Sequence, residues 1–372
     1  MPRNLSKPLL AVATITVFSA CLIGCADLGY YAQAVRGQMS LLGGARDIDE
    51  LLQDPKSSAA LRERLASSQK IRNFASQELG LPDNASYRRY VALPRPFALW
   101  NVVATPELSL QAKTWCFPIA GCVSYRGYYD EAEARAFAAQ LRSEGYDVQV
   151  SGVPAYSTLG WFSDPLLSSF AGYSDPDLAR LMFHELAHQV VYLSGDSQFN
   201  ESFATTVENA GLARWLACVG SDTQRLNVNS AQVRQQQFLA LLRQQRSALQ
   251  SAYRDLPNDD AKRAAKQEIL SQLHSKYAEL KQSWAGFAGY DRWFSAPVGN
   301  AHLAAVATYH EYVPAFTTLL RQQSQFSDFY SQAKILAEQP AEIRQRTLQQ
   351  LANQQLTPNQ LELGPCNQKS LQ

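Results

Sequence analysis

The chain has 372 residues, 46% of them apolar and 18% charged, with a formal charge of +1. That is enough apolar chain for a proper core, in one large domain or two ordinary ones. The near-neutral balance gives no basic field for nucleic acid, so any activity has to come from a local site.

The first segment reads as a leader. Arg3 and Lys7 precede an apolar run from Leu9 to Ile23, too short for a comfortable membrane span and right for a secretory signal. It ends in Leu22-Ile23-Gly24-Cys25, which resembles the bacterial lipobox. The resemblance implies a signal peptide over residues 1–24, with Cys25 lipidated and left as residue one. The mature chain would then be held to a membrane by its lipid and face the periplasm. Ala26 rather than Asp after the cysteine points to the outer membrane of the cell envelope. Loss of Arg3 and Lys7 brings the formal charge to −1 (+1 − 2). Four cysteines remain, an even number that suggests disulfides in an exported chain. Cys116 and Cys122 bracket Pro118 and Gly121, which can turn the chain back, so they form a natural pair. Cys218 and Cys366 are left to pair with each other.

From Tyr30 to Leu81 apolar residues recur at helical steps, with Asp54-Pro55 as a break. Residues 90–103 turn β-like around Pro94 and Pro96, and Cys122 to Tyr129 reads as a strand. Glu131 to Glu144 is helical, Gly145 ends it, and Asp147 to Ser151 is another strand. Strand, helix and strand together predict a small sheet. Tyr156 to Gly160 reads as a further strand, a candidate rim for binding extended substrate through its backbone.

Asp177 to Leu193 contains no helix breaker. Asp175 is a candidate cap, Pro176 suits the first turn, and Gly195 suits the stop. Within it lies His184-Glu185-Leu186-Ala187-His188. On a helix His184 and His188 share a face, the spacing that lets two imidazoles reach one Zn²⁺. Glu185 then falls beside the metal, where it can take a proton from a bound water. A second helix-compatible run, Phe199 to Glu208, places Glu201 and Glu208 two turns apart on one face.

Further on, Ala231 to Trp284 predicts a long helical hairpin, an insertion over about residues 225–290, with stripes of Leu239, Leu242, Leu249 and Tyr253 on one arm. Ile269, Leu273, Tyr277 and Leu280 form the stripe on the other. Then His302, Val306 and Tyr309 share a helix face. Tyr309, and after it His310, is a candidate donor to an oxyanion. Helices continue beyond Leu320, broken at Pro340 and Pro358.

The two central motifs resemble the gluzincin metallopeptidases, in which an Asn-Glu-x-x-Ala type helix supplies the third zinc ligand. Carried over by match, Asn200-Glu201 makes Glu201 that ligand and Glu208 a carboxylate orienting a ligand histidine. Asn200 belongs to the same outer ring. Nineteen residues between His188 and Glu208 match the usual gluzincin gap better than the twelve before Glu201, which keeps Glu208 as the alternative ligand. The runs Tyr156–Pro165, Phe183–Gln189, Phe199–Thr205 and Ala307–Phe316 look like a family of bacterial lipoproteins named as predicted aminopeptidases. What this implies is an α+β, mainly helical, zincin-like peptidase domain over residues 25–372. It would hold one Zn²⁺ per chain and cleave peptide or protein substrates, with Glu185 as base, Tyr309 on the oxyanion, and Tyr156 and Gly160 along the substrate. The alternative is an envelope scaffold whose zinc is structural, for which Glu185 would have no use. No Gly-Ala-Met-Glu-Asn-like segment is present to hold a substrate's α-ammonium, so Asp164 is the candidate carboxylate.

Overall fold

The computed structural model describes residues 28–117, 121–354 and Cys366. The expected signal peptide, Cys25 and Pro118 lie outside them. The chain sorts into two compact units, residues 1–45 and 46–372. The described part of the first is one helix, α1, over residues 28–43.

The second unit opens with β1 (Arg46–Asp47), α2 (Ile48–Gln53), α3 (Ala59–Leu79), β2 (Arg89–Val91) and β3 (Leu99–Pro106). It continues through β4 (Trp115–Phe117), β5 (Gly121–Val123), β6 (Arg126–Tyr128), α4 (Glu131–Ser143), β7 (Tyr146–Val153), β8 (Leu166–Leu167) and α5 (Ser168–Ala171). The helical body is α6 (Asp175–Ala187), α7 (Ser197–Val219), α8 (Asp222–Asp255) and α9 (Asp259–Ser283). After a 3-10 turn at Asp291–Phe294 come α10 (Asn300–His310), α11 (Val313–Arg321), α12 (Phe326–Glu338) and α13 (Ala341–Asn353). The fold is mainly helical with small sheets. Among the described residues no helix is long and apolar enough to cross a membrane.

The central sheet is antiparallel in the order β6-β3-β7. Its middle strand β3 is buried from Trp100 to Thr105 because α4 packs beside it and α10 does the same. Gly299, at the start of α10, has no side chain, which lets the Asp147 carboxylate of β7 approach to where a Cβ would meet it at 2.3 Å. That carboxylate accepts from the Asn300 N–H at 2.8 Å, fixing the helix to the sheet. The expected strand from Cys122 to Tyr129 is two strands. β5 pairs back with β4, whereas β6 pairs with β3, so the chain must turn at Ser124-Tyr125 between partners.

Two helices carry the centre of the molecule. In α6, Ser174 caps the first turn by accepting from Asp177, so it replaces the expected Asp175 as cap, and Pro176 sits in the first turn. α7 is capped by Asp196 and buries nearly its whole first half, from Phe199 to Val207. The two can cross closely because of Gly211, where a Cβ would lie 2.7 Å from Leu79 and 2.8 Å from Phe183. α3 backs them, with Phe74 stacked on Phe183, and Phe316 and Phe329 pack on Phe203.

The hairpin of α8 and α9 is present and packed, beginning at a capping box on Ser221. Its inward stripe is Phe238, Leu241, Leu242, Gln245 and Leu249, which keeps the expected Leu242 and Leu249 and leaves out Leu239. Phe238 takes the inner place of Leu239 because it stacks on Tyr290 at 4.1 Å and meets Tyr277 and Trp293 edge-on.

Candidate metal centre

Helix α6 brings His184 and Glu185 into the interior and ends at Ala187, with His188 still in helical conformation as its C-cap. The helix does not run on to Gly195 as its apolar pattern suggested. Gln189 and Val190 donate back to Leu186 and Ala187 in three-residue steps, tightening the end. Asn200 then takes the chain: its Oδ1 accepts from the Leu193 N–H at 2.7 Å and its Nδ2 donates to the Leu193 carbonyl at 2.8 Å. The amide of Asn200 thus holds the turn that follows His188.

The ring nitrogens of His184 and His188 and a carboxylate oxygen of Glu201 converge, one ligand atom from each lying within 4.8 Å of the others, and all three residues are buried. Glu201 Oε2 is 3.2 Å from His184 Nε2 and 3.6 Å from His188 Nε2. On the far side of His184, Nδ1 meets Glu208 Oε2 at 3.0 Å, and Glu208 also reaches Arg180 at 3.3 Å. Glu201 and Glu208 therefore hold opposite nitrogens of one imidazole, and only Glu201 faces both histidines.

The electrostatics match a cation here. Burial works against charge on His184, yet its bonds to Glu201 and Glu208 hold it well above the ordinary imidazole value. Burial likewise opposes charge on Glu201, but the facing His188 and His184 bring it down to about 2. His188 Nδ1 is buried with no partner among the described residues. Two imidazoles and a carboxylate around one point form the donor set of a zinc site with an open position, so the residues present fit a divalent metal.

A family model described as "Putative aminopeptidase" matches residues 29–348. The chain belongs to that family. No curated protein and no solved structure matches it. In this aminopeptidase-family chain, the other residues singled out from the sequence fall at varied distances from the metal group. Glu185 is buried beside it, and burial raises its carboxyl against the pull of His184 and His188. The Tyr309 ring lies 6.3 Å from that of His184, and the charge of Glu201, then burial, keeps its hydroxyl protonated. Tyr309 lies on α10, which packs against α7, and just beyond that helix the Tyr312 N–H donates to Ser202 of α7 at 3.1 Å. His302 is turned away from chemistry, since its Nδ1 accepts from the Gly299 N–H and caps its own helix.

The segment from Tyr156 to Gly160 is a loop and not the expected strand. Leu159 and Gly160 have φ of 57° and 83°, outside any strand. Asp164 accepts from the Thr158 N–H at 3.0 Å and from its hydroxyl at 2.7 Å, which closes the loop on itself. Asp164 is 3% exposed, so it clamps this loop and is not presented to a substrate ammonium. The tip leaves Trp161 and Phe162 exposed and approaches Gln189, next to His188. The Tyr156 hydroxyl is buried against that of Tyr129 at 2.7 Å.

One residue of this neighbourhood had no signal in the sequence. Tyr87 has φ of 64°, is fully buried, and its hydroxyl has no partner among the described residues. Its N–H donates to the Asp164 carbonyl at 2.7 Å, and after burial the charges of Glu185 and Asp164 raise its pKa. A strained backbone beside a buried carboxylate is a mark of functional sites, but it depends on a contact 77 residues away (164 − 87) that no local pattern announces.

Proposed function

We propose that this protein is a zinc-dependent peptidase with a zincin-like core, of gluzincin type, acting on peptides in the bacterial envelope. The observation that carries the reading is the buried convergence of His184, His188 and Glu201 with Glu185 beside them. His184, His188 and Glu201 would hold the metal, which when bound polarises a carbonyl and makes water more acidic. Glu185 takes the proton of the attacking water and delivers it to the leaving amine. Its burial favours this, because a carboxyl raised above its usual range is a better base near neutral pH. Tyr309, kept protonated, donates to the oxygen that gains charge at the scissile carbonyl. Glu208 fixes the His184 ring from behind so that Nε2 faces inward. The disulfides Cys116–Cys122 and Cys218–Cys366 support an oxidising compartment, in keeping with lipid attachment at Cys25.

The decisive experiment is Glu185→Gln. The amide preserves shape and all three ligands, so the variant should retain one zinc per chain by metal analysis. Peptide hydrolysis should fall by about 10²–10⁴-fold, the usual contribution of general acid–base catalysis. Full activity in the variant would move the base elsewhere. Loss of zinc together with unfolding would make Glu185 structural and favour the scaffold reading.

A further inference from the structure

Helix α1 carries its apolar side chains outward. Leu28, Tyr31, Val35 and Met39 are between 41% and 68% exposed. At about 100° of turn per residue they fall in a stripe about 80° wide, with Leu42 inside it. Gln33 and Leu41, which are buried, lie on the opposite side of the helix. Four of the thirteen large apolar side chains exposed among the described residues thus line one face of a 16-residue helix, a patch and not scatter. The outward face of a helix that meets water carries charged and polar groups. Between residues 28 and 43 the sole charged side chain is Arg36, exposed at the border of the stripe.

The place of the helix in the chain decides what meets this face. Cys25, the expected lipid site, precedes Leu28 by three residues. Three residues span at most about 11 Å, so a lipid on Cys25 holds the first turn of α1 within that distance of the headgroups. The 16 residues make a helix about 24 Å long, shorter than the hydrocarbon core of about 30 Å. The helix therefore cannot cross the bilayer, but it can lie flat with its apolar face sunk about 5–10 Å into the boundary of headgroups and acyl chains. In that pose the stem of Arg36 follows the apolar surface and its guanidinium reaches lipid phosphates.

We infer that α1 lies in the membrane surface, with Leu28, Tyr31, Val35 and Met39 against the acyl chains of an anionic phospholipid bilayer. The inference rests on lipid attachment at Cys25 to bring the helix there, and it is independent of the peptidase reading. The helix gives the lipid-held chain a second point of attachment to the same bilayer.

The test places the photoreactive residue p-benzoylphenylalanine at Val35, Met39 or Ser40. Each lipoprotein is expressed with its signal peptide and reconstituted in vesicles of phosphatidylethanolamine and phosphatidylglycerol. All three sites are exposed, so circular dichroism of each variant should match the parent. Ser40 lies about 100° round the helix from Met39, outside the stripe. After irradiation, mass spectrometry of the α1 peptide should show a phospholipid adduct at positions 35 and 39 and its loss at position 40. The mass of the intact protein reports the Cys25 lipid separately. Lipidated protein without a phospholipid adduct at 35 and 39, or with equal adducts at all three positions, overturns the inference and leaves the lipid reading standing. Crosslinks at 35 and 39 to a second copy or to another protein, in place of phospholipid, overturn it as well. Protein that forms the adducts at 35 and 39 but carries no lipid supports the membrane-bound helix and removes the lipid reading. Protein with neither lipid nor adduct removes both.

Discussion

Glu201 and Glu208 occupy the same face of α7 two turns apart, yet their positions around His184 assign them different work. Glu201 faces the two inner nitrogens, whereas Glu208 meets only the outer Nδ1 and is shared with Arg180. Glu201→Ala should therefore abolish zinc binding, measured by competition with a chromogenic chelator. Glu208→Ala should weaken it by about 10–100-fold, as loss of an orienting carboxylate does. The opposite ranking would transfer the ligand role to Glu208. Much at this scale was legible. The step of four from His184 to His188 is a property of any helix, and the Asn200-Glu201 pair stands out locally. Tyr87 was not legible, because its unpartnered hydroxyl arises only when distant segments meet.

At the scale of elements, periodicity located the helices and turn chemistry did not. The helical hairpin and the strand after α4 follow from spacing alone, whereas the run before α4 divides into β5 and β6 because each pairs with a different strand. The end of α6 depends on Asn200 reaching back to Leu193, and the loop after β7 depends on Asp164 capturing Thr158. Neither bond is visible in a hydrophobic pattern, which is why Tyr156–Gly160 reads as a strand and folds as a loop. That loop supplies a pH test. Burial raises the Asp164 carboxyl to about 6, from about 4 in an unfolded chain. Below about pH 4 it is protonated in both states and has no effect on the balance. Between about 4 and 6 the unfolded chain releases this proton first, so stability falls as pH rises through that window. Two units correspond to about 3 kcal/mol, lost by pH 6 and constant above it. Asp164→Asn removes the titration. Its thermal midpoint should fall less than that of the parent between pH 4 and 6.5, whatever its absolute value. Parallel midpoint curves for the two proteins would show that Asp164 does not titrate in this range.

Across the whole molecule, composition and period were enough for a mainly helical fold with small sheets, and an even cysteine count was enough for two disulfides. The register of β4 with β5 shows why the first forms: Cys116 stands directly opposite Cys122 in the hairpin. The second ties Cys218, in the last turn of α7, to Cys366, 148 residues further on. These two bonds constrain the unfolded chain very differently. In the chain-entropy model the cost of closing a loop grows with the logarithm of its length. A separation of 148 residues gives about 5 kcal/mol of stabilisation, and one of 6 gives about 2 kcal/mol. Replacing both Cys218 and Cys366 by Ala should therefore lower the unfolding free energy in urea by more than twice as much as replacing Cys116 and Cys122. The hairpin pair has a different expected effect, because Gly121 lies against Ser194 and Gly195, in the turn that follows His188. Its loss should loosen that turn and weaken zinc retention, while loss of the long bridge should leave zinc affinity near that of the parent. Mass mapping of non-reduced peptides comes first, since free thiols at all four positions would remove the bonds and the oxidising compartment together. If both double variants instead lose equal stability, the long bridge closes a loop that the unfolded chain already keeps compact, and loop length is not what sets its contribution.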